Sequence, residues 1–148
     1  MTLAVIATVS KRVLMIDVDL VQVNFSRFFA WMDEGFNGLL HEVGLPLSGI
    51  VADGFATPVV DARCSYLRPV GLDDTFTVHS WIGRTGTSSF EVKHRFSDQN
   101  GVFAEGRCTH VWVELKTDQR AMPLPDQIKN ALLDVSEGDA GIPLVPAR

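Results

Sequence analysis

Only two cysteines, Cys64 and Cys108, occur in 148 residues. They form no CxxC pair and no zinc-like spacing, so two reduced, partly buried thiols are expected rather than a disulfide framework. His41, His79, His94 and His110 fall into no HxxxH or HxxEH pattern, and no metal is predicted. Basic residues are scarce as well: 13 Lys and Arg against 18 Asp and Glu leave a formal charge of -5. A nucleic-acid binder needs a basic stripe, and this balance argues against one. No apolar run approaches the about 18 residues of a membrane span. A GxSxG nucleophile elbow and a phosphate-cradling glycine loop are both missing, which disfavours a serine α/β-hydrolase and a nucleotide-cofactor fold. The opening residues 1–7 are apolar but have no basic stretch before them. They read as a frayed tail or edge strand rather than a secretory signal, with the cytoplasm as the default location.

What is present fits a single domain over residues 1–148, with a core at about 11–117 and a partly loose extension over 118–148. The clearest signal is a helix over residues 25–43. Phe25, Phe28, Phe29, Met32, Phe36, Leu39, Leu40 and Val43 recur at helical spacing, with Arg27, Asp33, Glu34, Asn37 and His41 opposite. Asn24 is the expected N-cap and Gly44 the expected C′ residue, with Pro46 as a stop. Gly35, Gly38 and Trp31 are read as lying off the stripe. Two helical glycines cost about 1 kcal/mol each relative to Ala, so a close neighbour, such as a second subunit, is expected on that side.

Around the helix the chain reads as strand: a short one over 11–18, one extended segment over 55–67, then 75–84, 89–96 and 102–115. Residues 98–101 form a hairpin turn, and a change of apolar parity predicts a bulge near Gly106. A short helix is expected over 125–133 and a loose tail after Ser136. One helix with a mainly antiparallel sheet is an α+β layout, and the open sheet edges favour dimerisation.

Asp17 and Asp19 stand just before the helix start. A helix N-terminus offers unpaired N–H groups and partial positive charge, able to hold a developing oxyanion while a carboxylate acts as base or nucleophile. By themselves, such acids are better explained as solvated loop residues favoured near a positive helix end. The segments that read alike elsewhere are Asn24 to Glu34, Thr57-Pro58-Val59-Val60, Tyr66 to Asp74, Ser89-Phe90-Glu91-Val92 and His110 to Leu115. Over roughly residues 11–125 the chain resembles the 4-hydroxybenzoyl-CoA thioesterase group of hotdog proteins. It departs from that pattern in a loop one residue shorter, in Gln22 at the glycine position and in lacking the frequent histidine.

The resemblance implies a hotdog fold, a five-stranded, mainly antiparallel sheet wrapped around one long central helix. It also implies an acyl-CoA thioesterase without cofactor. Asp19 is then the first choice for the reacting carboxylate, with Asp17 as the alternative. Asn24, by its amide or N–H, and the N–H groups of Gln22 and Val23 are candidates to face the thioester. Thr57 and Asp61 are expected across a dimer from the helix start, and Arg68 or Arg84 on the CoA phosphates. Asp33 and Glu34, where another hotdog branch has its carboxylate, are read as solvated or interfacial. The alternatives are an enzyme acting on acyl-carrier-protein thioesters and a non-catalytic acyl-thioester-binding homodimer. The expected assembly is a homodimer or a dimer of dimers.

Overall fold

In a computed structural model that describes residues 5–132, the apolar stripe becomes helix α1 (Ser26–Glu42). Asn24 Oδ1 accepts the Ser26 N–H at 2.8 Å, so the expected capping residue does bind the first turn. At the other end the Leu45 N–H donates to the Leu40 carbonyl at 2.8 Å and the Gly44 N–H to that of His41 at 3.1 Å. This is a Schellman ending, and it requires the left-handed backbone that Gly44 supplies at φ +79.

The chain runs through β1 (Ile6–Arg12), a 3₁₀ turn (Met15–Asp17), a hairpin of β2 (Val18–Asp19) and β3 (Gln22–Val23), α1, α2 (Leu47–Ala52) and β4 (Phe55–Ala56). There follow β5 (Val59–Tyr66), β6 (Thr75–Thr85), β7 (Ser89–Asp98), β8 (Gly101–Val111), β9 (Val113–Glu114), β10 (Arg120–Ala121) and α3 (Asp126–Asn130). Five strands pair antiparallel in the order β1-β6-β7-β8-β5, which leaves β1 and β5 as edges. The expected α+β layout therefore forms, with α1 packed on the inward residues of the sheet. Phe28, Trp31, Met32, Phe36, Leu39 and Leu40 are all buried there, and a side chain of that size contributes about 1.5–3 kcal/mol on burial.

Several boundaries differ from the sequence reading. The first strand lies upstream of 11–18, because the Asp17 carboxylate accepts the Leu14 N–H at 2.8 Å and curls residues 15–17 into a turn. The 55–67 segment breaks at Pro58, which has no N–H to give a ladder; β4 joins the small sheet β10-β9-β4 and β5 the large one. The bulge falls at Phe103, between the pairs Phe96–Ala104 and Ser97–Val102. Gly106 keeps regular pairing and instead makes room for Met32, whose sulfur a Cβ there would meet at 2.3 Å. The extension packs on the core through Leu124, Ile128 and Ala131. The tail expected after Ser136 lies outside the described residues.

Gly35 and Trp31 belong to the buried arc rather than to its back. Trp31 packs on Phe76 with ring centroids 4.7 Å apart. A Cβ on Gly35 would stand 2.2 Å from Ser80 Oγ, and one on Gly38 would meet Ala7 at 3.5 Å. The close neighbour of both glycines is the chain's own sheet, so they carry no argument for a second subunit. Under Gly35, Ser80 Oγ and His94 Nδ1 are 2.7 Å apart, so His94 is a hydrogen-bonded core histidine. Burial pushes His94 down to about 3, and the neighbouring His110 adds to the effect. His110 packs against both Phe36 and Phe90, at 4.0 and 5.2 Å, and donates Nδ1–H to the Thr57 carbonyl at 3.0 Å.

Candidate active site

The hairpin β2–β3 delivers the acidic segment to the start of α1. Its tip is strained: Leu20 adopts φ +58 while 99% exposed, and Val21 beside it is 81% exposed. Such a conformation disfavours a large side chain and is found where neighbouring contacts over-determine the backbone. Those contacts come from both sides of the hairpin. Val23 N–H donates to the Val70 carbonyl at 3.0 Å, Asn24 N–H to that of Asp17 at 2.8 Å, and Gln22 bridges to Gly71. Gly71 matters because a Cβ there would stand 3.0 Å from the Val21 carbonyl.

The two candidate acids separate sharply. Asp17 is 3% exposed. Its Oδ1 accepts from Arg27 Nε and its Oδ2 from the Leu14 N–H, each at 2.8 Å. Asp19 is exposed, and its Oδ2 accepts from Asn24 Nδ2 at 2.5 Å. Asn24 therefore spends its amide on Asp19 and its oxygen on the helix. The N–H groups of Val23 and Asn24 are also committed, so neither is free to meet a substrate carbonyl. The Phe25 N–H has no protein acceptor among the described residues.

Beside this point opens a cleft of about 300 Å³ between Gln22 and Val23, Phe25 and Phe28 of the helix start, and the segment 66–70. Its wall is aromatic: Phe28 and Tyr66 meet edge to face at 4.9 Å, and the Tyr66 O–H donates to the Phe25 carbonyl at 3.1 Å. Grooves of about 590 and 390 Å³ lie beside Lys11 and Gln99 and on the outer face of the sheet. Both are roomier, but neither touches the hairpin or the helix start.

The other sequence candidates scatter. Arg68 lines the cleft but is held in a fork by Asp98 and by the Gly101 carbonyl at 3.1 Å. Thr57, Asp61 and Arg84 sit near the opposite end of the sheet, where the register runs Val59–His110–Phe90–Thr85; Tyr66–Ala104–Phe96–Val78 marks the hairpin end. Asp61 pairs with Arg63 at 3.1 Å, and Arg84 is exposed 3.8 Å from Glu91. On the helix, Glu34 is bound by Lys11 at 3.1 Å, and Asp33 contacts Asn37. The thiols are poor nucleophiles, since burial pushes Cys64 up and Cys108 to about 11. No motif in the sequence marks Tyr66, Phe25 and Phe28 as site residues; that Tyr66 is the chain's single tyrosine is the one hint.

Comparison with known proteins gives concordant matches. The family description "Thioesterase-like superfamily" matches residues 13–132. A 1,4-dihydroxy-2-naphthoyl-CoA hydrolase of Synechococcus sp. strain WH7803 is 32% identical over 132 residues, 83% of this chain and 86% of that one. The structure of a gentisyl-coenzyme A thioesterase superposes with a TM-score of 0.76 at 27% identity, covering 85% of this chain and 99% of the other. For a 1,4-dihydroxy-2-naphthoyl-CoA thioesterase from Synechocystis the TM-score is 0.77 at 24% identity, over 88% and 98% of the two chains, a likeness of fold.

Proposed function

Because the chain belongs to the thioesterase-like superfamily and has its hotdog fold, we propose that it hydrolyses an aromatic acyl-CoA thioester to a carboxylate and free CoA. The observation that carries this reading is the Asn24–Asp19 contact at the helix start, beside a cleft walled by Phe28 and Tyr66. The aromatic preference is supported by those rings and by the substrates in the names of the relatives.

Asp19 is the general base. Asn24 ties down Oδ2, which leaves Oδ1 facing solvent to take a proton from a water. The hydroxide adds to the thioester carbonyl, and the oxygen that becomes negative is held by the Phe25 N–H and the positive end of α1. Collapse of the tetrahedral intermediate breaks the C–S bond. The departing thiolate takes up the proton, giving free CoA and the acid. Arg84, remote from the hairpin of its own copy, is the proposed contact for a CoA phosphate held at the hairpin of a second copy. Arg68, already paired, serves as cleft wall.

The site is completed by a second copy. Strand β5 is an open edge. Pairing it antiparallel with itself exchanges its ends, so that Thr57 and Asp61 of one copy approach the hairpin of the other. The open edge and that exchange support a homodimer, and the family resemblance a dimer of dimers as its extension.

Thiol release from a panel of acyl-CoAs tests the reading, together with Asp19→Asn. The expected loss in kcat is about 10²–10⁴-fold, the range for a positioned general base, with KM little changed. Turnover of acyl-carrier-protein thioesters alone would reassign the substrate; turnover of neither would make the protein a binding module.

A further inference from the structure

Arg27 is on the polar side of α1, yet its guanidinium turns back to the segment before the hairpin. Arg27 Nε meets Asp17 Oδ1 at 2.8 Å, with side-chain exposures of 36% and 4%. Asp17 is a three-way junction. Its Oδ2 holds the Leu14 N–H on the way into the hairpin, its carbonyl holds the Asn24 N–H on the way out, and its Oδ1 holds the first turn of the helix. The loop between Asp17 and Asn24 has an exposed, strained tip at Leu20 and carries Asp19 just before it. Asn24 in turn orients the Asp19 carboxylate. A continuous path of hydrogen bonds therefore runs from Arg27 through Asp17 and Asn24 to Asp19.

We propose that Arg27 is a positioning residue for hydrolysis. It clamps Asp17, and through Asp17 it sets where the Asp19 carboxylate stands relative to the first amides of α1. Asp17, with both oxygens occupied, is the anchor of the clamp and not a second reacting acid. The inference rests on Asp19 being the general base. A buried carboxylate that loses its cation moves, hydrates or takes up a proton. Any of these releases the base of the hairpin, and a displacement of about 1 Å at a reacting group is enough to cost about 10²-fold in rate.

The test is steady-state kinetics of Arg27→Gln, Arg27→Lys, Asp17→Asn and the double variant Arg27→Gln/Asp17→Asn, each measured well below its unfolding temperature. Arg27→Gln is expected to lower kcat by about 10–100-fold with KM held within about threefold. Arg27→Lys should recover a substantial part, and the double variant should be no worse than the poorer single one, because the pair acts as a unit. A kcat within about twofold of wild type, with only the melting temperature lowered, would overturn the proposal in favour of a purely structural pair. A raised KM at unchanged kcat would overturn it too, since Arg27 would then be binding substrate. Should Arg27→Gln fail to fold, Asp17→Glu decides: it keeps the charge and shifts the carboxylate by one methylene, so kcat must fall at constant KM. Asp19→Asn is run in parallel. Full turnover there sinks the general-base reading whatever Arg27 does, whereas a dead Asp19→Asn beside an active Arg27→Gln sinks only the clamp.

Discussion

Strands β1 and β5 both end the five-stranded sheet, but they meet opposite surroundings. Strand β1 lies against α1: Ala7 is buried, Val9 and Ala7 come close to Gly38, and Lys11 reaches Glu34 on the helix. Along β5 every residue but Cys64 is exposed, with Val59 and Val60 at 52% and 62%. The exposed apolar residues Leu20, Val21, Phe25, Tyr66 and Leu67 cluster towards that side. Both strands offer unpaired backbone groups, so the difference is a matter of helix position. Two small residues, Gly35 and Gly38, let α1 settle over β1 and β6, and the helix meets β5 at few points, such as Phe28 against Tyr66, leaving most of that edge uncovered. One side of the molecule is closed by its own chain. The other is left open, and the proposed catalytic hairpin is on that side.

The closed side is broken most strongly by acid. His94 is buried and its conjugate acid is disfavoured, so its folded value of about 3 lies below the unfolded value near 6.5. The neutral ring therefore contributes its full stability above about pH 6.5, and the contribution is lost as pH falls towards 3, because the unfolded chain binds the proton first. At about 1.4 kcal/mol per unit, the loss by pH 4.5 is up to about 3 kcal/mol. His79 and His110 are shifted downwards too, and act in the same direction. Urea midpoints at pH 7 and 4.5 are expected to show this fall, and His94→Gln should flatten it. An equal fall in the variant would remove His94 as the cause.

The two helix glycines sharpen the comparison next. Gly35→Ala drives a methyl into the Ser80–His94 contact and is expected to cost about 2 kcal/mol, as overpacking does. Gly38→Ala, whose methyl meets Ala7 at an ordinary 3.5 Å, should stabilise by about 0.5–1 kcal/mol through helix propensity and a less flexible unfolded chain. Thermal melts of the two single variants should move in opposite directions. If both moved down together, the account of how α1 approaches the sheet would be wrong.

The smallest expected effect on folding is at the open edge. Val60→Lys on β5 should leave the fold intact, since surface changes usually stay within about 0.5 kcal/mol. A lysine on an edge strand discourages pairing, so association should weaken about tenfold or more. Thr8→Lys on the exposed face of β1 is the control and should leave the assembly unchanged. Light scattering at micromolar concentration reads both. A dimer indifferent to Val60→Lys would place the partner elsewhere.

The helix stripe, its Asn24 and Gly44 ends, the hairpin at 98–101 and the antiparallel layout were all legible in the chain. Each depends on residues within a few positions of one another: the 3.6 and 2.0 periodicities, a side chain two residues from the N–H it caps, a glycine where φ is positive. Asp17 and Asp19 look alike in such a reading. Their local chemistry is the same, and only Arg27, ten positions on, together with the curled 15–17 turn, buries one and leaves the other exposed. The side of the helix to which Gly35 belongs was decided in the same way, by Ser80 and His94 arriving from distant strands. So was the separation of Thr57, Asp61 and Arg84 from the hairpin, which is set by strand register. Local periodicity and turn chemistry are written into short segments. Burial, ion pairing and proximity come from contacts between residues far apart in the chain, and those exist only once the sheet has closed over the helix.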